Sequence, residues 1–144
     1  MVENEVKAII KEALKGQSPA VFVTDGIGNS HPAKFPCVDV ALMDTKEDPS
    51  SDDETEREIL TFDVNIYTNN KIGARKAATE LYRLVNKALR AHNFRRIAAF
   101  PVPILSLTGN TGSASSRMVN IDYYRYMTRY TVVYDGMFFY RREN

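Results

Sequence analysis

Hydrophobic residues recur along this chain at two spacings, one typical of helices and one typical of strands. Residues 3–15 and 71–92 place apolar side chains every three or four positions, which predicts two amphipathic helices. Residues 59–68 alternate between apolar and polar side chains, which predicts a strand with one buried and one wet face. Shorter runs at residues 20–24 and 37–43 also favour strands.

The last third of the chain predicts further strands, beginning with residues 97–107. Because residues two apart in a strand point their N–H groups to the same side, Pro101 and Pro103 remove donors from one side only. This segment therefore fits the edge of a sheet. Residues 117–134 are rich in tyrosine, valine and threonine, but they exceed a usual strand length, so we expect a bulge near Asp122.

Turns and loops are predicted between these elements. Asp135-Gly136 suits a two-residue type I′ turn, which would place Tyr134 opposite Met137. The acid-rich residues 44–58 predict a mobile, solvated loop, and the small polar residues 108–116 predict a flexible one.

The predicted order αβββαβββ indicates an α+β fold, with one twisted, mostly antiparallel sheet and two helices packed on it. A length of 144 residues suits one domain over residues 1–144, and 44% hydrophobic with 26% charged residues is ordinary globular composition. No apolar run approaches 18 residues and the N-terminus is acidic, so we predict neither a membrane helix nor a secretion signal.

The net charge of +1 hides a strong asymmetry. Residues 1–70 hold six basic and fourteen acidic side chains, a net charge of −8, whereas residues 71–144 hold thirteen basic and four acidic ones, a net charge of +9. Two differently charged solvated surfaces would explain this. The basic half could instead meet nucleic acid, or the acidic surface of one subunit could meet the basic surface of its neighbour.

Few residues are available for catalysis or metal binding. Cys37 is the only cysteine, so the chain can form neither an intrachain disulfide nor a multi-cysteine metal site. We interpret His31 as a loop residue and His92 as a helix-terminal one. Gly26-Ile27-Gly28 lacks the third glycine and the following helix of a dinucleotide site. We therefore predict no enzyme, no cofactor, no metal and no small-molecule substrate.

The segment Tyr123–Tyr130 interleaves aromatic and basic residues. In a strand, Tyr124, Tyr126 and Tyr130 share one face, while Arg125 and Arg129 share the other. Bases could stack on such tyrosines while arginines hold phosphates, so a nucleic-acid-binding module is the alternative function. Half-buried tyrosines with cross-strand partners would give the same pattern.

The order and content of these elements resemble a family of small proteins from long-tailed phages, the tail-terminator or tail-completion proteins, also called minor capsid or head–tail joining proteins. The matching features are an apolar N-terminal helix, a strand entry, the central strand, the long helix, a basic segment after it and a tyrosine-rich final hairpin. The N-terminal helix contains Val6, Ile9, Ile10 and Leu14, and the strand entry is Phe35–Val38. The central strand is Leu60–Asn69, the long helix starts with Lys71, and the basic segment is Phe94–Arg96.

The resemblance implies a structural virion or prophage protein without an active site. Such a subunit forms a ring, typically a hexamer, that caps the tail tube and joins it to the head connector, with a lumen through which DNA could pass. We expect it in the tail or neck of the virion, and in the host cytoplasm during assembly. The predicted contact joins acidic to basic residues across subunits; these are Glu47, Asp48, Asp52 and Asp53 on one side and Arg95, Arg96, Arg125 and Arg129 on the other.

Overall fold

Two helices and six strands follow one another in the predicted order in the computed structural model, which confirms the α+β class. The structure describes residues 2–27, 32–49, 56–69, 74–108 and 118–142. The elements are α1 (Val2–Ala13), β1 (Phe22–Asp25), β2 (Cys37–Glu47), β3 (Glu58–Asn69), α2 (Ala74–Ala91), β4 (Arg95–Thr108), β5 (Met118–Tyr134) and β6 (Phe139–Tyr140).

The strands form one sheet in the order β1-β2-β3-β5-β4, and β6 pairs with the end of β5. β1 runs parallel to β2, and the other pairs are antiparallel. β4 therefore lies at an edge, as Pro101 and Pro103 predicted. The predicted bulge is also confirmed: Ile104 pairs with Tyr123 and Leu105 with Ile121, so Asp122 is the extra residue on β5.

Both helices pack on one face of the sheet. Alternate residues of β3 point toward them, as the alternation predicted, and the central strands supply most of the apolar floor. α1 contributes Val6 and Ile10, and α2 contributes Val85 and Leu89, all fully buried. Fully burying such side chains stabilises a fold by roughly 1.5–3 kcal/mol each. This layer is therefore the main source of stability.

The opposite face of the sheet carries a small aromatic cluster and a row of polar residues. Cys37, Tyr67 and Tyr123 are buried there, with Phe35 packed against them. The rings of Tyr67 and Tyr123 meet edge to face with their centroids 5.7 Å apart. The segment before β2 covers this end of the face.

The acidic segment 44–58 is shorter as a loop than the sequence predicted. β2 continues to Glu47 and β3 begins at Glu58, so Asp44 already pairs with Thr61. Backbone pairing continues through these acidic residues because their side chains project into solvent, where charge costs little. Residues 50–55 lie outside the described part of the chain, as do residues 109–116 of the predicted polar loop.

The predicted two-residue turn at Asp135-Gly136 is wrong. Tyr134 pairs with Phe139 and not with Met137, so four residues form the connection. The Asp135 carboxylate accepts hydrogen bonds from the backbone N–H groups of Met137 and Phe138, at 2.9 and 2.8 Å. These bonds lower the pKa of Asp135 and close a wider loop, in which Gly136 alone of the described turn residues has a positive φ, of 94°.

Candidate assembly surfaces

Exposed apolar side chains lie at the two opposite edges of the sheet. β1 pairs only with Cys37–Val40, so the rest of β2 forms one edge, and β4 forms the other. The large hydrophobic residues that are exposed, among those described, are Phe22, Leu42 and Met43 at the first edge, Ile97 in β4, and Met137 and Phe138 in the turn before β6. β6 pairs with the same side of β5 as β4 does, next to the residues that pair with the start of β4. The turn before β6 therefore belongs to the second edge.

Met43 and Ile97 are both bulge residues, and they flank the same row of the sheet. The pairing on β2 skips Met43 between Leu42 and Asp44, and that on β4 skips Ile97 between Arg96 and Ala98. The row Leu42–Phe62–Tyr130–Arg96 adjoins both bulges. Met43 is 53% exposed and Ile97 49% exposed. Two apolar groups thus stand at nearly the same height on opposite edges.

Opposite charges stand at matching heights on the same two edges. Asp44 pairs with Thr61, Thr61 with Thr131, and Thr131 with Arg95, so the aspartate and the arginine end one row of the sheet. Around the first edge, residues 44–49 and 56–58 carry five acidic and two basic side chains. The second edge carries Arg95 and Arg96 at the start of β4. One edge is thus acidic where the other is basic.

The eight residues predicted to form the contact are only partly brought to these edges. Glu47 ends β2 and is exposed, Asp48 follows it, and Asp52 and Asp53 lie outside the described residues. Arg95 and Arg96 begin β4 at the other edge.

Arg125 and Arg129 lie in β5, in the interior of the sheet, and are held by residues of their own chain. Arg125 Nε donates to Asn65 Oδ1 at 2.9 Å. Arg129 makes a bidentate pair with Asp63, with Nε–Oδ1 and Nη2–Oδ2 distances of 2.6 and 3.0 Å. This pair raises the pKa of Arg129. Arg95 and Arg96 are exposed at the start of an edge strand, so they are better placed than Arg125 and Arg129 to meet another chain.

Most tyrosines of β5 face the helices, whereas Tyr123 and the two arginines face the other side. Tyr130 is fully buried, and its hydroxyl donates to Asn86 Oδ1 of α2 at 2.8 Å. Tyr126 stacks on Tyr82 of α2 with centroids 4.7 Å apart. The face alternation is as predicted, but these rings serve as core. A ring that packs against α2 offers no free face for a base to stack on, and Arg125 and Arg129 lie on the other face of the strand.

A buried carboxyl lies on the face away from the helices. Asp39 in β2 is almost fully buried, and its Oδ1 accepts a hydrogen bond from the backbone N–H of Ile27 at 3.2 Å. Burial raises the pKa of Asp39, and the negative charge of Asp25 raises it further, while the bond from Ile27 and the charge of Arg125 oppose this.

The end of α2 is shaped by a Schellman motif that the sequence analysis did not identify. The N–H of Phe94 donates to Leu89 O at 3.0 Å and that of Asn93 to Arg90 O at 3.1 Å. Asn93 takes the left-handed conformation, with φ of 73°. Its side-chain Nδ2 donates to Phe139 O at 2.9 Å, which ties β6 to the turn between α2 and β4.

This tie gathers arginines from three separate segments around one cleft. The cleft has a volume of about 400 Å³, and no carboxylate is among its described lining residues. Those residues are Phe94 and five arginines: Arg90, Arg95, Arg96, Arg141 and Arg142. Only Arg95 and Arg96 were singled out from the sequence. Arg141 and Arg142 are far along the chain from the other three arginines, and only the fold brings the two groups together.

The cysteine and the histidines were the other candidates for catalysis or metal binding. Cys37 is fully buried, and burial raises the pKa of its thiol to about 12. His92 follows α2, with Nδ1 at 2.9 Å from Ala88 O, and His31 lies outside the described residues. Within the described ranges, no group of three or more histidine, cysteine, aspartate or glutamate residues could hold a metal ion. None of the helices described is long and apolar enough to span a bilayer.

Comparison of the sequence with protein-family models and with curated proteins finds no match to either.

Proposed function

We propose that this protein is a structural subunit that associates head-to-tail with copies of itself through the opposite edges of its sheet, as a tail terminator does in its ring. The observation that carries the proposal is the row from Asp44 to Arg95, which ends in an acid at one edge and a base at the other. When two copies lie side by side with parallel orientation, the acidic edge of one meets the basic edge of the next.

A contact of this kind uses different surfaces on the two partners. Head-to-tail contacts give rings when the rotation between subunits closes, and open filaments when it does not. The bulges at Met43 and Ile97 disrupt strand-to-strand pairing at both edges, as protected edges commonly do. We therefore infer a contact made by side chains, with the two exposed apolar residues at its centre and the charges around them.

The charges set the orientation and the salt dependence of the contact more than its strength. Exposed ion pairs contribute only about 0–1 kcal/mol each, and salt screens them with a Debye length of roughly 8 Å at 0.15 M. Burial of Met43 and Ile97 supplies the non-directional part. Association should therefore weaken with salt without disappearing.

The resemblance in layout supplies the biological setting of this proposal. A ring of such subunits would cap a phage tail tube and present a surface to the head connector, and DNA would pass through its lumen. Arg95 and Arg96 then belong to the subunit contact, together with Glu47 and Asp48. Arg125 and Arg129 would act indirectly, by holding the polar face of the sheet in place.

Light scattering over a range of protein and salt concentrations tests the contact, with and without purified tail tubes viewed by negative stain. We expect concentration-dependent oligomers that weaken as salt rises, and attachment at one end of the tubes. Asp44→Lys and Arg95→Glu should each weaken association, and the double variant should recover part of it, because these two residues end the same row of the sheet. Glu12→Lys, on an exposed position of α1, is the control and should have no effect.

A protein that stays monomeric at every concentration and also ignores tail tubes would contradict the proposal. Oligomers that do not respond to salt or to either charge reversal would reject the charge contact specifically.

A further inference from the structure

The outward face of α2 carries a line of positive charge. Four exposed basic side chains lie opposite the buried stripe of the helix that packs on the sheet. They are Lys76, Arg83, Lys87 and Arg90. Their spacings of seven, four and three residues place them along one side of the helix. At a rise of roughly 1.5 Å per residue, this α2 basic line is about 21 Å long.

The α2 basic line is unfavourable for the helix itself at two places. Lys87 lies four residues after Arg83 and three before Arg90, so the three like charges repel one another as helical neighbours. The first turn holds Lys76 and no acidic residue, although the helix dipole favours negative charge there. Glu80 is the only acidic residue of α2 and offsets only part of this.

α1 of the same chain has the favourable arrangement, with acidic residues in its first turn and a basic residue in its last. The placement of charge on α2 therefore needs an explanation other than the stability of the helix.

We propose that the α2 basic line binds the phosphate backbone of duplex nucleic acid. A duplex carries one negative charge per roughly 1.7 Å of its axis, so a line of this length faces several phosphates at once. Lysine and arginine side chains neutralise such phosphates and release their counterions, which favours binding. None of the four residues belongs to the proposed subunit contact, so this inference goes beyond that contact and does not depend on it.

The side chains around the α2 basic line favour a nucleic acid over a protein partner. Protein interfaces depend on large aromatic and aliphatic anchors at their centre. No large hydrophobic side chain is exposed on the described part of α2, where the small residues Ala77 and Ala91 are the exposed apolar ones. Phosphate contacts need charge and no such anchors. Single-strand binding commonly uses exposed aromatic rings for stacking, so the same composition favours a duplex.

Binding through phosphate contacts alone has two measurable properties. It is insensitive to base sequence, because the backbone is the same for every sequence. It also weakens steeply with salt: about four phosphate contacts give a slope of roughly −3.6 for the logarithm of the binding constant against that of the salt concentration. Affinity should therefore fall about 50-fold between 50 and 150 mM salt.

Fluorescence anisotropy of a short labelled DNA duplex at these two salt concentrations tests the proposal. The loss variant is Arg83→Glu with Lys87→Glu, in the middle of the line. Lys11→Glu with Lys15→Glu changes the net charge equally, at exposed positions in and just after α1, and is the matched control. Glu80→Lys, which replaces the only acidic residue of α2, is the gain variant.

We expect the duplex to bind at 50 mM salt, and a duplex of scrambled sequence to bind equally well. The loss variant should weaken binding at least about tenfold, while the control weakens it less than about threefold. Glu80→Lys should tighten binding at least about threefold, a gain that misfolding of the variant could not produce.

No binding of the duplex, equal losses in the two double variants, or no gain from Glu80→Lys would overturn the proposal. Tighter binding of a single strand, of a polyglutamate peptide or of anionic lipid vesicles than of the duplex would also overturn it. Light scattering separates it from the subunit contact, because all three variants should associate as the wild type does.

Discussion

Asn93 offers the sharpest test of how the fold builds the arginine cleft. Its left-handed φ of 73° ends α2, and its side chain is bonded to Phe139 O. Asn93→Ala removes the side-chain hydrogen bond and puts a residue in the left-handed conformation that tolerates it less well than asparagine does. An alanine in this conformation costs roughly 1–2 kcal/mol, of which asparagine already bears a part, and the lost hydrogen bond costs about 0.5–1.5 kcal/mol.

We therefore expect Asn93→Ala to lower the free energy of unfolding by about 2 kcal/mol, and the melting temperature by about 4–8 °C for a chain of this size. Asn93→Gly loses the same bond but relieves the backbone, at an entropy cost of about 0.5–1 kcal/mol relative to alanine. It should destabilise by about 1 kcal/mol, and thus lie between the wild type and the alanine variant.

Urea unfolding followed by circular dichroism measures both changes. Lys87→Ala, at an exposed position of α2, is the control and should stay within about 0.5 kcal/mol of wild type. Equal destabilisation by alanine and glycine would show that the backbone conformation of Asn93 carries no cost. No destabilisation by either would refute the tie to β6 as well.

Three further predictions concern the face of the sheet away from the helices. The pKa of Asp39 is raised above its unfolded value, so its ionisation costs stability as pH rises through that pKa. Asp39→Asn can still accept the bond from Ile27 and should be more stable than wild type at pH 7. Urea titrations should show this advantage vanish below about pH 4. Arg129→Met leaves the buried Asp63 without its ion-pair partner, so it should lower the free energy of unfolding more than Asp63→Asn does. The difference would reach about 3 kcal/mol for a fully buried pair, and should be smaller here because the guanidinium is partly exposed. The same unfolding assay measures it. Cys37, with its pKa raised to about 12, should resist iodoacetamide at pH 8 in the folded protein and react within minutes in 6 M guanidinium; rapid alkylation of the folded protein would contradict its burial.

The strongest sequence patterns were sufficient for the fold class. The alternation along residues 59–68 predicted which face of β3 is buried, and Pro101 with Pro103 predicted an edge strand, because both patterns depend only on local strand geometry. The bulge at Asp122 followed from strand length. The prediction of a two-residue turn after Tyr134 was wrong because the Asp135 side chain accepts hydrogen bonds from two backbone N–H groups. The preference of Asp-Gly pairs for type I′ turns does not take such side-chain bonds into account.

The candidate surfaces were harder to predict because they depend on topology. The acidic and basic halves of the chain were evident, but their placement on opposite edges requires the strand order. Arg125 and Arg129 resembled surface residues in the sequence, although Asn65 and Asp63 of the neighbouring strand hold them. The cleft combines α2, β4 and the C-terminal segment through Asn93, an asparagine where glycine is the usual signal for a helix end.

Cysteine cross-linking across the two edges tests head-to-tail association most directly. Met43 and Ile97 flank one row on opposite edges, and the native Cys37 is buried and does not compete. Under mild oxidation, the double variant Met43→Cys with Ile97→Cys should give a ladder of disulfide-linked oligomers, and a mixture of the two single variants should give dimers only. The account would be contradicted if the double variant stayed monomeric on non-reducing gels, or if Met43→Cys alone cross-linked to itself as readily as the mixture does.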